Sequence, residues 1–307
     1  MTQHTEIVGG LEFPEGPIAM PDGTVVLVEM FGERLTRVHA DGTTTTVAEV
    51  AGGPNGAAVG PDGAIYVCNN GRSFTKVEVG GMVFPGPFDP ERYIGGRIQR
   101  VDPRTGAVTD LYTECDGRPL RAPNDLLMDG HGGFWFTDFG IRDRAARTSD
   151  LTAIYYAKVD GSAIHEVVFP VEAANGIGLS PDGDTLYYSE THTGRVFKRN
   201  IEHAGVLTAL VPFDQSHVLC GLPGMQLLDS LAVDCDGNVC VATILNGGIT
   251  VISPDGSSVD HIPTGDILTT NICFGGVDMC CAYITLSSTG RLVSMPWRGE
   301  GLRLAHQ

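Results

Sequence analysis

A turn built on Asp-Gly, followed each time by a short β-rich run, recurs along the 307-residue chain. This recurrence limits the folds open to the chain more than any other feature. PDG at 21–23 precedes TVVLVEM, PDG at 61–63 precedes AIYVCN, and MDGHGG at 128–133 precedes FWFTD. PDG at 181–183 precedes DTLYYSE, CDG at 235–237 precedes NVCVATI, and a weaker copy, FGGVDMC at 274–280, precedes CAYITLS. Asp-Gly between apolar runs is a hairpin signal, because both residues tolerate positive φ. A third strand-like segment follows each hairpin, such as RLTRVHADG, GRIQRVDPRTG and GITVISPDG, so each unit holds at least a three-stranded meander. Six units give an average of about 51 residues each, close to the propeller period. Helical periodicity is scarce, and 41 glycines suit many tight turns. These features predict an all-β fold, a six-bladed β-propeller forming one domain over residues 1–307. TEIVG near the start is expected to pair with the last unit and close the ring. Insertions at 71–96, at 139–153 and from Pro212 to Leu227 interrupt the units, and the first is expected to cover one face.

Charge and cysteine usage narrow the function. Lys plus Arg number 20 against 37 Asp plus Glu, a net charge of −17, which argues against a nucleic-acid partner. No run of 18 apolar residues occurs, so no membrane helix is expected. The opening MTQHTEIVGG lacks a basic-then-apolar pattern, and a cytoplasmic location is expected. The acidic surface points to a soluble monomer or weak homo-oligomer. The eight cysteines form no C-x-x-C pair and read as free thiols, with Cys68 and Cys240 in apolar strand runs as small buried hydrophobes. The vicinal Cys280-Cys281 carries no assignment. His131 and His192 read as surface residues, and His217 as the better candidate for a substrate contact.

Counting back from the turns exposes a second regularity. Seven residues before Asp22, Asp62, His131, Asp182, Asp236 and Asp278 stand Glu15, Asn55, Asn124, Asn175, Asp229 and Asn271. In a propeller these positions begin the strand nearest the axis and converge on one end of the central channel. Turn preference alone does not account for two carboxylates among four amides. Two carboxylates neutralise a divalent cation and amide oxygens complete an all-oxygen shell, the chemistry of calcium, magnesium or manganese. Neither G-x-S-x-G, the P-loop nor H-E-x-x-H occurs.

The text around these positions resembles the SMP-30/gluconolactonase, or regucalcin-like, family of six-bladed propellers. The matching segments are FPEGP at 13–17, APNDLLMDGHGGFWFTDFG at 122–140, NGIGLSPDGDTLYYSE at 175–190, LDSLAVDCDGN at 228–238 and TNICFGG at 270–276. The resemblance implies that Glu15, Asn175 and Asp229 are metal ligands. It makes Asn124 a ligand or substrate contact, and Asp229 the general base or nucleophile. Asn55, Asn271 and Arg121 are the further candidates for substrate contact. The implied activity is metal-dependent opening of a lactone, with calcium the first cation and magnesium, manganese or zinc as alternatives, and a small molecule as the partner. Departures are Leu228-Asp229-Ser230 where the family reads P-D-G, and Glu29-Met30 where it commonly has Asp. Phosphotriester hydrolysis, or a lyase or isomerase reaction on a hydroxy acid, remains the alternative on the same site. A protein-interaction propeller and a metal-free enzyme resembling strictosidine synthase fit the in-register carboxylates less well.

Overall fold

In each of the six repeats, the apolar run before the Asp-Gly turn pairs antiparallel with the run after it, and two further strands extend the sheet outward. The computed structural model describes residues 4–211 and 214–307. The innermost strands are Pro14–Ala19, Pro54–Val59, Pro123–Met128, Ala174–Leu179, Leu227–Val233 and Thr269–Gly275. Each begins a sheet whose strands follow in chain order, and the six sheets form a six-bladed β-propeller. The ring closes as expected: Thr5–Val8 adds antiparallel to Arg291–Pro296 as the outer strand of blade 6. The strand Val218–Gly221 within the stretch before blade 5 pairs with the third strand of blade 4; Pro212 and Phe213 of that stretch lie outside the described residues.

The cores lie between blades. Leu127, Trp135 and Ile154 of blade 3 pack with Ile177, Leu186 and Tyr188 of blade 4 in one buried cluster. Cys240 and Ile249 of blade 5 pack with Ile272 and Ile284 of blade 6 in another. Fully burying one such side chain contributes about 1.5–3 kcal/mol, so these interfaces help hold the ring together. All eight cysteines are free, and Cys68 and Cys240 are buried as the sequence implies.

Two devices place the axial ends of the innermost strands. In four blades, a buried acid or amide at the end of the second strand accepts N–H groups from the segment leading into the first. Glu12 N donates to Glu29 Oε2 at 2.7 Å and Gly53 N to Asn69 Oδ1 at 2.9 Å. Arg121 N and Ala122 N donate to Asp138 at 2.7 Å each, and Glu172 N to Glu190 Oε1 at 3.1 Å. The second device is a register shift just inside each innermost strand, in all six blades. A β-bulge re-aims side chains, and here it turns one polar residue per blade toward the channel mouth.

Candidate active site

Hydroxyls of neighbouring blades lock the bulges together. Thr137 Oγ1 of blade 3 accepts from Asp125 N at 3.1 Å and donates to Asn175 O of blade 4 at 2.5 Å. Ser189 Oγ of blade 4 accepts from Gly176 N at 2.9 Å and donates to Asp229 O of blade 5 at 2.8 Å. Ser287 Oγ of blade 6 donates to Pro14 O of blade 1 at 2.6 Å. The backbone at Asn175, at Asp229 and just before Glu15 is thus held by the blade before it, which pre-positions these side chains.

Glu15, Asn55, Asn124, Asn175 and Asp229 all border one cleft of about 280 Å³ at the channel mouth. All five are buried. The sixth position differs from the sequence count. Thr270, not Asn271, lines the cleft. Thr269 pairs with Leu286 as Pro14 pairs with Glu29, which makes Thr270 the counterpart of Glu15. Asn271 sits one residue deeper, lining an inner cavity with Asp125, and its Nδ2 donates to Glu15 Oε2 at 3.3 Å. Arg121 is not at the cleft either: its Nε donates to Asp150 Oδ2 at 2.7 Å and its guanidinium lies over the Tyr93 ring. Its backbone N–H is tied to Asp138.

The electrostatics of the cleft suit a cation. Burial, then the charge of Asp229, push the Glu15 carboxyl well above the usual range, with hydrogen bonds from Thr270 and Asn271 pulling back. Burial also raises Asp229, opposed by hydrogen bonding from Asn175 and the Ser230 N–H. No lysine or arginine lines the cleft to neutralise the two carboxyls. Asn124 Oδ1 is buried without a hydrogen-bond partner, an arrangement that costs about 1–3 kcal/mol unless something coordinates the oxygen. Among the described residues, no three His, Cys, Asp or Glu side chains gather with ligating geometry. The donors here are instead two carboxylates and two amide oxygens, from Glu15, Asp229, Asn124 and Asn175, which fit a hard divalent cation. Ser230, the departure beside Asp229, donates its Oγ to Asn175 Oδ1 at 3.4 Å.

The rest of the cleft was not legible in the sequence. Its wall is apolar and comes from segments far apart in sequence: Phe13, Met30, Phe74, Phe84 and Phe139, with Leu227, Ile244, Leu245 and Leu268. Phe74, Phe84 and Pro85 belong to the 71–96 insertion, which folds as the hairpin Lys76–Val79 and Met82–Pro85. His192 lines the cleft rather than standing idle on the surface, whereas His217 stacks on Phe197 away from it. His131 stays in its exposed turn.

The SMP-30/Gluconolactonase/LRE-like region family model matches residues 13–288. The chain is 28% identical over 248 residues to the lactonase drp35 of Staphylococcus haemolyticus, covering 81% of this chain and 68% of that protein. A gluconolactonase structure from Xanthomonas campestris matches with a TM-score of 0.74 at 23% identity, covering 95% of this chain and 88% of the other. The calcium-binding protein regucalcin from Agrobacterium tumefaciens matches with a TM-score of 0.72 at 19% identity, covering 96% and 95%. At these identities the two structures speak for the fold.

Proposed function

Since the chain belongs to the SMP-30/Gluconolactonase/LRE-like family, we propose that it is a divalent-metal-dependent hydrolase that opens a lactone in the cleft above the propeller axis. The observation that carries this reading is two buried carboxyls, Glu15 and Asp229, facing one cleft with the unpartnered Asn124 Oδ1. The names of relatives, a lactonase and a gluconolactonase, support the reaction class. Glu15, Asn124, Asn175 and Asp229 would hold the cation. Calcium is the first candidate because every donor is a hard oxygen, with magnesium, manganese and zinc as alternatives. What such an ion supplies when bound is Lewis-acid polarisation of an ester carbonyl and compensation of the charge developing on its oxygen.

The protein's own part begins with Asp229. In the base route it takes a proton from water as the water oxygen bonds to the carbonyl carbon; the ring C–O bond breaks, and the proton passes to the departing alkoxide, giving a hydroxy acid. In the nucleophile route the Asp229 carboxylate adds to the carbonyl carbon, and the ring C–O bond breaks to leave a mixed anhydride and an alkoxide that takes a proton from water. Water then attacks the Asp229 side of the anhydride, releasing the hydroxy acid and restoring the carboxylate. Single turnover in heavy-oxygen water separates the two, since label in Asp229 marks direct attack. The apolar wall excludes bulk water and selects the body of the substrate. Each hydroxyl of an aldonolactone pressed against Phe13 or Phe139 without a partner would cost about 1–3 kcal/mol, so aliphatic and aromatic lactones fit better than sugar lactones. The charge of −17 and the eight free cysteines support a cytoplasmic enzyme, monomeric or weakly associating, with no nucleic-acid partner. Among the described residues no helix is long and apolar enough to cross a membrane.

Proton release followed by pH-stat on aldonic, aliphatic and aromatic lactones tests this, first on chelator-stripped protein and then with each cation restored. Metal-dependent acid release is expected, fastest on the hydrocarbon lactones. Asp229→Ala is expected to lose about 10²–10⁴-fold in kcat or more; an unchanged kcat removes Asp229 from the chemistry.

A further inference from the structure

Beside the cleft lies a second compartment that the chemistry above leaves unused. The 71–96 insertion and the 139–153 segment face each other across about 200 Å³, bordered by Ser73, Arg142, Arg144 and His192 among others. Phe74, Pro85, Phe139 and His192 line both spaces, so the two adjoin across these side chains. One is apolar and holds the carboxyls; the other is cationic, in a chain of net charge −17.

Three features of this compartment suit an anion. Arg142 Nη2 donates to Glu172 Oε1 at 3.0 Å and to His192 Nδ1 at 3.1 Å. An arginine only donates, so Nδ1 is the acceptor and the proton of the neutral ring sits on Nε2. Burial, then the charge of Arg142, lowers the affinity of His192 for a second proton, and Arg144 adds to this. Arg144 itself has no ion-pair partner among the described residues. Glu172 takes up one of the two guanidinium charges and leaves the other uncompensated. Finally, Ser73 is 3% exposed and its Oγ has no hydrogen-bond partner.

We propose that this compartment is an anion subsite holding a carboxylate that the substrate carries away from its reacting carbonyl. Arg142 and Arg144 supply the countercharge; the hydroxyl of Ser73 and Nε2–H of His192 supply donors. The substrate class is then an amphipathic lactone, with a hydrocarbon body over the apolar wall and a terminal carboxylate between the insertions. The lactone part rests on the function proposed above, whereas the anion subsite stands on its own residues.

Titration calorimetry of the chelator-stripped protein with phenylbutyrate and its neutral amide tests the subsite without turnover. The acid is expected to bind about tenfold or more tightly than the amide, as hydrogen bonds to a charged group allow. In the Arg142→Gln/Arg144→Gln variant that preference falls below about twofold, and Ser73→Ala loses part of it. Both arginines are exposed, so the double variant is expected to unfold at the wild-type temperature, and Arg298→Gln, whose partner is the surface residue Asp260, controls for loss of a cation elsewhere. Equal affinity for acid and amide overturns the proposal, as does a preference untouched by the double variant. A preference that appears only when metal is restored places the carboxylate on the ion and overturns it too. Acid preference without lactone hydrolysis would remove the lactonase reading and leave the subsite standing.

Discussion

Burial pushes the Glu29 carboxyl up, yet it sits below the usual carboxylate range, because hydrogen bonds from Arg34, Thr36 and the Glu12 N–H outweigh desolvation. Arg34 Nε and Nη2 approach at 2.8 and 2.6 Å, and Thr36 Oγ1 at 2.6 Å. A depressed folded-state value stabilises the protein at pH above the unfolded carboxyl value, about 4.3. That stability is lost as pH falls through the folded value. Glu29→Gln is therefore expected to cost about 1–3 kcal/mol at neutral pH, a figure moderated by the partial exposure of Arg34. The gap should shrink below about pH 4, read from urea midpoints across the pH range. A gap constant down to pH 3 would mean that shape rather than charge is held here. In sequence, Glu29 is visible only as a departure from the family's aspartate. Its partners Arg34 and Thr36 lie on the next strand, and only the strand register brings them to it. The same holds for His192, whose place at the cleft depends on the neighbouring Phe139 and Arg142.

Strand register is also where the count from the turns succeeds and then slips. Five blades place the expected residue at the channel mouth, because the same number of residues separates it from the hairpin turn in each. In blade 6 the stretch from the residue before the bulge to the turn is one residue longer, Thr269–Gly275 against Pro14–Ala19. That single residue exchanges Thr270 for Asn271. A bulge leaves no mark in residue type, so the shift was invisible in sequence. The position just after the site residue carries a different constraint, contact with the next blade. A Cβ on Gly176 would stand 2.4 Å from Leu231 N and 2.8 Å from Ser230 Cα. Backbone cannot yield as a side-chain tip does, so Gly176→Ala is expected to destabilise by about 1–3 kcal/mol or more. Gly183→Ala is the comparison: its Cβ meets nothing within 4 Å, leaving only the strain of φ +77°. Gly176 is not at positive φ, so its whole loss comes from the blade contact. Melting temperatures of the two variants decide the matter, and an unchanged value for Gly176→Ala would show that the neighbouring blade yields to the new methyl.

At the scale of the whole molecule, the ring was legible because six repeats restate one pattern, whereas the cleft was not, because insertions from separate blades build it. Phe74 and Phe84 come from the 71–96 insertion, Phe139 from the end of the second strand of blade 3, and Leu268 from the approach to blade 6. No local pattern says that these side chains meet. The axial site joins blades 1, 3, 4 and 5 through Glu15, Asn124, Asn175 and Asp229. A cation held there cross-links strands far apart in sequence and binds the folded ring alone, since the unfolded chain scatters its ligands. At about 100 times Kd, such binding adds about 2.7 kcal/mol. At roughly 2–4 °C per kcal/mol for a chain of this order of size, the melting temperature should rise by about 5–10 °C. Scanning calorimetry of stripped protein with and without calcium measures this, and Glu15→Gln should abolish most of the rise. Without metal, the same variant should be no less stable than wild type, because it removes one of two carboxyls that repel each other at the channel mouth. A calcium-induced rise of equal size in wild type and Glu15→Gln would place the stabilising ion elsewhere on the acidic surface and detach the carboxyl pair from metal binding.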